Sequence, residues 1–181
     1  MALPEVAAVA GDSRLVAIAK EWLGGAAIPF KATLFDKSPG GNWLVTWHQD
    51  TALPLRERGE APGWGPWSVK SRVTYAKAPA SALAGVIALR LHLDDCGPDN
   101  GPLRVLPGTH ASGVLDQPSI HRLASTVEPV DCRVRRGGVI AMRPLLVHAS
   151  TKAIGSAPRR VLHIEYARSL HPAPGLELEV A

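Results

Sequence analysis

Alternation of hydrophobic and polar positions recurs along this chain and predicts a succession of short strands. In residues 43–51 apolar and polar side chains alternate with a period of two, the pattern of a half-buried strand. The same reasoning predicts strands over residues 30–35, 69–75, 86–93, 103–106, 130–134, 139–142, 145–150 and 161–167.

One early segment has a helical period instead. Asp12 and Ser13 can cap a helix over residues 14–23, and two glycines follow it. Its apolar side chains fall on one face, which we expect to pack on the body of the protein. They are Leu15, Ile18, Ala19, Trp22 and Leu23.

Glycine and proline punctuate the rest of the chain. Residues 38–41 form a turn, residues 55–67 are too broken for regular structure, and residues 116–125 suggest a turn and a short helix. Gly137 and Gly138 form a turn between two of the strands, and the residues from Pro172 onward form an irregular tail. Many short strands with one early helix predict a mainly β fold, an antiparallel sandwich or jelly-roll barrel.

Composition restricts the class of protein. The 181 residues are 46% hydrophobic and 20% charged, which fits one globular domain over residues 1–181. We see no membrane span and no signal peptide, and two cysteines make no disulfide framework, so we expect a cytoplasmic protein. The net charge of +4 comes from scattered basic residues without interleaved aromatics, so no nucleic-acid partner is expected.

His48 and Asp50 are the first candidates for chemistry. Two residues apart on a strand, they project to the same face and offer two ligands for a divalent metal. A distant histidine would complete the 2-His-1-carboxylate facial triad of non-heme iron oxygenases. His148, at the end of an apolar run, is the candidate. The alternative is that both histidines are structural and that Asp50 forms a turn.

The strand over residues 161–167, extended back to Arg159, has two unlike faces. Leu162, Ile164 and Tyr166 form an apolar face that should pack against a second layer. Arg159 has the opposite parity, so its side chain lies on the other face of the strand, which is free to line a polar cavity. A guanidinium that points into such a cavity is suited to binding a carboxylate through two hydrogen bonds. The alternative is a solvated charge at the strand end.

These motifs, in this order, resemble the phytanoyl-CoA dioxygenase family. The segments that carry the likeness are His48-x-Asp50, residues 93–95, residues 100–110 (NGPLRVLPGTH), residues 148–150 and Arg159. The resemblance covers about residues 27–167. It implies a double-stranded β-helix, a jelly-roll or cupin-like barrel with a few flanking helices, and Fe(II)- and 2-oxoglutarate-dependent oxygenase activity with O2.

Roles for individual residues follow from the resemblance. His48, Asp50 and His148 are expected to hold the iron as the catalytic metal site. Arg159 is expected to bind the far carboxylate of 2-oxoglutarate, and Ser150 to assist that carboxylate.

Three further features bear on what the resemblance implies. Arg90 stands where relatives often carry an aromatic that lines the cosubstrate site, so its role is open. The segment before the first strand is shorter than in most members, so recognition of long acyl-CoA is not implied. Related halogenases have Gly or Ala at the position of Asp50, so halogenation is not expected.

The implied reaction is hydroxylation of a small molecule, coupled to decarboxylation of 2-oxoglutarate. Three alternatives stay open: an oxygenase acting on a protein or nucleic-acid group, a non-catalytic metal-containing binding protein, and a zinc hydrolase with the same ligands. Trp64 and Trp67 either form a lid over the site or pin their loop to the protein body. The oligomeric state also stays open.

Overall fold

A computed structural model of the protein describes residues 3–38 and 41–180. The helices are α1 (Pro4–Ala10), α2 (Ser13–Leu23), α3 (Ala80–Leu83) and α4 (Gln117–Thr126), with a 3₁₀ turn at Thr109–Ser112. The strands are β1 (Ile28–Lys37), β2 (Val45–His48), β3 (Ala52–Leu55), β4 (Trp67–Lys70), β5 (Val73–Lys77), β6 (Val86–His92), β7 (Leu103–Val105), β8 (Val130–Cys132), β9 (Val139–Met142), β10 (His148–Ser150) and β11 (Arg159–Ala167).

The strands form two four-stranded antiparallel sheets and one smaller sheet. The major sheet has the order β1-β11-β6-β9, the minor sheet β2-β10-β7-β8, and the side sheet β3-β5-β4. This arrangement confirms the predicted mainly β, jelly-roll architecture with flanking helices. Among the described residues, however, the two large sheets do not join edge to edge into a closed barrel.

The outer face of the major sheet packs against α1 and α2. Tyr166 is fully buried there, and its hydroxyl donates a 2.9 Å hydrogen bond to the carbonyl of Ala10 at the end of α1. Asp12 caps α2 and Gly24 ends it in the left-handed conformation, as predicted. The apolar face of β11 is likewise confirmed in this layer. Trp22 is an exception to the predicted helix face, because it is half exposed.

The inner faces of the two sheets meet over a small apolar cluster. Ala88 and Met142 from the major sheet pack there with Leu103 from the minor sheet. Most of the remaining inner-face side chains of β1, β6 and β11 that line the cavities are polar or charged, with Phe35 and Val86 as apolar exceptions. The apolar part of the sandwich therefore fixes the sheets, and the polar part is left for a site.

One expected strand and one segment expected to be irregular turn out differently. Residues 69–75 form a hairpin, with β4 and β5 joined at Ser71 and Arg72, whose φ angles are 49° and 67°. Positive φ at both turn positions matches the twist of a hairpin, but Ser-Arg lacks the usual Asn-Gly signal. Within residues 55–67, predicted to be irregular, Leu55 ends β3 and Trp67 begins β4. The proline in β3 is tolerated because β3 is an edge strand.

The glycine turn at Gly137, by contrast, does not make a hairpin. β8 pairs with β7 in the minor sheet, whereas β9 pairs with β6 in the major sheet, so this turn carries the chain from one sheet to the other. Of the predicted turn at residues 38–41, Pro39 and Gly40 lie outside the described residues; the amide of Gly41 donates to the carbonyl of Ser38. None of the described helices is long and apolar enough to cross a membrane.

Candidate active site

The minor sheet brings the three predicted metal ligands together. His48 ends β2 and His148 begins β10, and the two residues are direct partners in the antiparallel register. Asp50 follows two residues after His48, and its amide donates a 2.9 Å hydrogen bond to the carbonyl of Pro144, just before β10. One ligand atom from each of the three side chains lies within 4.8 Å of the other two.

Backbone carbonyls orient both imidazoles. The Nδ1 atom of His48 lies 2.8 Å from the carbonyl oxygen of Thr46, and that of His148 lies 2.8 Å from the carbonyl oxygen of Leu146. Nδ1–H therefore donates to the carbonyl, and Nε2 keeps its lone pair for a metal. The Nε2 atoms lie 3.7 Å and 3.6 Å from the two carboxylate oxygens of Asp50. The donor set fits a divalent ion of the 2-His-1-carboxylate class.

The protonation state of His148 also suits a metal ligand. Burial lowers its pKa to about 4, against the opposing effect of the Asp50 carboxylate. The imidazole is thus neutral at pH 7, the protonation state in which it can coordinate a metal.

A cavity of about 130 Å³, the first cavity, adjoins the metal ligands and is lined by the inner face of the major sheet. Arg159 lies on this face, as its parity predicted, and only 2% of it is exposed. Its Nε donates a 3.1 Å hydrogen bond to the carbonyl of Asn100, and its buried Nη1 has no hydrogen-bond partner among the described residues. Burial lowers its pKa.

Lys37 is a second cation in the first cavity, and sequence reasoning missed it. It pairs with Arg159 across β1 and β11 and is 1% exposed. Its Nζ donates a 2.9 Å hydrogen bond to the Oγ of Ser150 and another to the carbonyl of Thr151. Burial, together with the neighbouring guanidinium of Arg159, lowers the pKa of Lys37 to about 8. Ser150 therefore does not line the first cavity, and it is connected to it through its hydrogen bond with Lys37.

Arg90 supplies a third cation. Its Nη1 lies 3.0 Å from Nδ1 of His163, its guanidinium carbon lies 5.2 Å from the ring centroid of Phe35, and its buried Nε has no partner among the described residues. Burial, reinforced by Arg159, lowers its pKa to about 10. No carboxylate of the described residues forms an ion pair with these three cations.

A larger cavity of about 320 Å³, the second cavity, adjoins the same site and shares Lys31, Asp50, His163 and Glu165 with the first. Trp64 and Trp67 line neither cavity among the described residues; they pack against the apolar cluster beneath the side sheet. The geometry favours the interpretation that these indoles pin their loop.

The fold is a jelly roll, and His48, Asp50 and His148 form a candidate metal site of the 2-His-1-carboxylate class. Over residues 3–161 the chain matches the family model of phytanoyl-CoA dioxygenase (PhyH). The chain belongs to this family, which confirms the resemblance found in the sequence.

Individual relatives agree with this placement. The chain is 26% identical over 182 aligned residues to L-proline trans-4-hydroxylase from Streptomyces griseoviridis, covering 85% of this chain and 59% of that protein. It is 26% identical to the crystal structure of AviO1 from Streptomyces viridochromogenes Tue57, with a TM-score of 0.62, covering 87% of this chain and 58% of that one.

A third comparison concerns the fold alone. EctD from S. alaskensis, crystallised with 2-oxoglutarate and 5-hydroxyectoine, is 23% identical with a TM-score of 0.66, covering 92% of this chain and 53% of EctD. The chain therefore spans between a half and three-fifths of the length of these relatives.

Proposed function

We propose that this protein is a non-heme Fe(II)- and 2-oxoglutarate-dependent dioxygenase that hydroxylates a small molecule. One observation carries the proposal: a candidate His-Asp-His ligand set lies directly beside a cavity lined by three buried cations, which have no anionic partner in the described part of the chain. Metal ligands alone would suit many metalloproteins. The adjoining cations add a binding site for a dicarboxylate, and the cosubstrate 2-oxoglutarate is a dicarboxylate.

At the metal end, His48, Asp50 and His148 would hold the iron on one face and leave the remaining positions open. With iron, 2-oxoglutarate and O2 bound, the site supplies oxidative decarboxylation to succinate and CO2 coupled to hydroxylation of a C–H bond. The contribution of the chain is to hold both imidazoles in one tautomer and to keep the ligand atoms within reach of one ion.

At the other end, Arg159 and Lys37 face each other across two strands and would share the far carboxylate. Burying a cation without a partner is costly, so an anion that neutralises both is strongly favoured there. The Oγ of Ser150 accepts from Lys37 and so fixes its ammonium. The backbone carbonyl of Asn100 accepts from Nε of Arg159 and so fixes the guanidinium.

The alternatives receive less support. Neither a hydrolytic metal site nor a purely structural one requires three buried cations beside it. A macromolecular substrate would require a broad basic face, whereas the charges described here lie inside small cavities. The name of the proline hydroxylase relative also favours a small substrate.

The test is an anaerobic titration of the Fe(II)-loaded protein with 2-oxoglutarate, following the visible charge-transfer band between metal and keto acid. We expect a saturable band in wild type and none in His148→Ala. In Arg159→Ala we expect the same band with an affinity lower by about 30-fold, since loss of a buried charged partner costs about 2 kcal/mol or more.

Arg160→Ala is the matched control. Arg160 is adjacent in sequence but lies on the outer face, where it pairs with Asp94 at 2.7 Å. Its removal should leave the 2-oxoglutarate affinity unchanged. A folded, iron-loaded wild type without a band would overturn the oxygenase proposal in favour of a non-catalytic metal protein.

A further inference from the structure

The second cavity lies beside Asp50, so its contents would lie next to the metal site. Its volume of about 320 Å³ falls in the range of small-molecule sites. It shares a wall with the first cavity, formed by Lys31, His163 and Glu165. If the first cavity takes 2-oxoglutarate, the second is the space left for the molecule to be oxidised.

One part of its wall is apolar and gives no directional recognition. Leu53, Val86, Ala88 and Pro144 contribute carbon surface between the side sheet and the major sheet. Gln49 also lines the cavity, but its amide is already used in three hydrogen bonds to backbone groups. This part of the wall suits a hydrocarbon skeleton.

The other part is charged, and its charges do not balance. Lys31 donates a 2.7 Å hydrogen bond to Glu165 in a largely buried ion pair. Burial alone would lower the pKa of Lys31, but the Glu165 carboxylate outweighs it and the pKa is raised. Lys70, which lines the cavity and is also exposed to solvent, has no ion-pair partner among the described residues. The Nζ atoms of Lys31 and Lys70 each lie 5.9 Å from the ring centroid of Tyr75.

From this imbalance we propose that the substrate is a small carboxylic acid whose carboxylate binds at the Lys70 and Tyr75 side of the second cavity, with its carbon skeleton on the apolar wall. This inference rests on the proposed function, because it assigns the substrate of that same site. Lys70 is then the residue that selects for an acidic group.

Charge accounting also disfavours a cationic substrate. The two carboxylates that line the second cavity are Asp50 and Glu165. The first is committed to the metal and the second to Lys31. Lys70 is left as the one uncompensated charge among the described residues that line this cavity, and it is positive. An anion removes the imbalance, whereas a cation would increase it.

The test uses carboxylic acids of five to ten carbons, each paired with its primary carboxamide, which has nearly the same shape and no charge. Binding to the anaerobic Fe(II)- and 2-oxoglutarate-loaded protein is measured by saturation-transfer NMR. We expect wild type to prefer acids over amides by about tenfold in Kd. Lys70→Gln should reduce that preference by about fivefold, the effect expected of a partly exposed ion pair.

Lys77→Gln is the matched control, since Lys77 is an exposed lysine of the same side sheet that does not line the second cavity. It should keep the full preference for acids. Equal binding of acids and amides by wild type, or no binding of any acid at millimolar concentration, overturns the proposal. So does equal loss of preference in both lysine variants.

The charge-transfer band of 2-oxoglutarate, recorded on the same samples, separates the two levels of inference. A normal band without acid preference means that the substrate assignment alone is wrong. Acid preference in a protein that gives no band means that the anion site exists but the oxygenase proposal has failed.

Discussion

The metal ligands and the cations of the first cavity are held in place in opposite ways. Each imidazole is fixed by the backbone carbonyl of the residue two positions earlier in the chain. The cations depend on distant partners: Lys37 on Ser150, and Arg90 on His163, 113 and 73 residues away. The orientation of each imidazole is therefore set locally, although β2 and β10 must pair to bring the candidate ligands together. The orientation of Lys37 and Arg90 depends on contacts between distant segments.

The two regions also differ in how completely their polar atoms are satisfied. The ligand histidines have their Nδ1 atoms bonded and their Nε2 atoms beside a carboxylate. In the first cavity, Nη1 of Arg159 and Nε of Arg90 are buried without partners among the described residues. Uncompensated buried charge lowers stability. A ligand that neutralises the buried charge explains why the first cavity retains it. The candidate metal site needs no such ligand in order to fold.

The largest expected effect is on the metal side. His148→Ala removes one of three ligands, and we expect metal affinity to fall by more than about 100-fold, beyond what loss of a supporting partner causes. Isothermal titration with Fe(II) under anaerobic conditions measures it. His110→Ala, at an exposed histidine outside the ligand set, is the control and should bind as wild type does. Retained affinity in His148→Ala would show that the ligand set is wrong.

On the cation side we expect a smaller but selective effect. Lys37→Met keeps the length of the side chain and removes its charge, so 2-oxoglutarate affinity should fall by about 10- to 30-fold while Fe(II) affinity stays the same. The charge-transfer titration measures the first and calorimetry the second. Lys152→Met, at an exposed lysine close in sequence to the Lys37 partner Ser150, should change neither. A parallel loss of iron affinity would mean that the two regions are not independent.

This contrast explains which parts of the site could be predicted from sequence. His48 and Asp50 form a short His-x-Asp motif, although Asp50 lies beyond the end of β2, and His148 ends an apolar run. Arg159 has the parity of the polar face of β11. Lys37 carries no such signal. The first strand was predicted to end at residue 35, and only the pairing of Lys37 with Arg159 places it in the cavity.

The fold shows the same division. The segments with a clear period, such as α2 and β11, were predicted well, because side-chain pattern decides them. Strand partners were not, because pairing is set by tertiary contacts: the glycine turn at Gly137 changes sheets, and the turn at Ser71 interrupts what looked like one strand. Gly101 is similar. A Cβ there would lie 2.6 Å from the carbonyl oxygen of Thr151, a contact that sequence does not reveal.

Arg90 tests whether the cations act through charge or through packing. Arg90→Met should lower 2-oxoglutarate affinity by about fivefold to tenfold, less than loss of Lys37, because two cations remain and Arg90 also packs on Phe35. Arg90→Lys keeps the charge and should recover most of the affinity in the same titration. If both variants bind equally weakly, the guanidinium acts as a packing and positioning group for His163 and not as a charge.

The smallest effect is expected at His92, which lies near these cations on β6 and is 1% exposed. Neither ring nitrogen has a partner among the described residues. Removing an unsatisfied buried polar group should stabilise the protein, so we expect His92→Leu to raise the free energy of unfolding at pH 7.5 by about 1 kcal/mol. Urea denaturation measures it, with exposed His121→Leu on α4 as a control that should change little.

The free energy of unfolding should also depend on pH in a way that tests the prediction for His92→Leu. Burial, with the charges of Arg90 and Arg159, lowers the pKa of His92 from 6.5 to about 4. Between those values the unfolded chain binds the proton and the folded protein does not, so His92 destabilises the fold as pH falls from 6.5 towards 4. The advantage of His92→Leu over wild type should therefore grow between pH 7.5 and pH 5. An advantage that shrinks in acid would mean that a carboxylate or another hydrogen-bond acceptor stabilises the protonated imidazole of folded His92, which would make His92 a further member of the polar network around the first cavity.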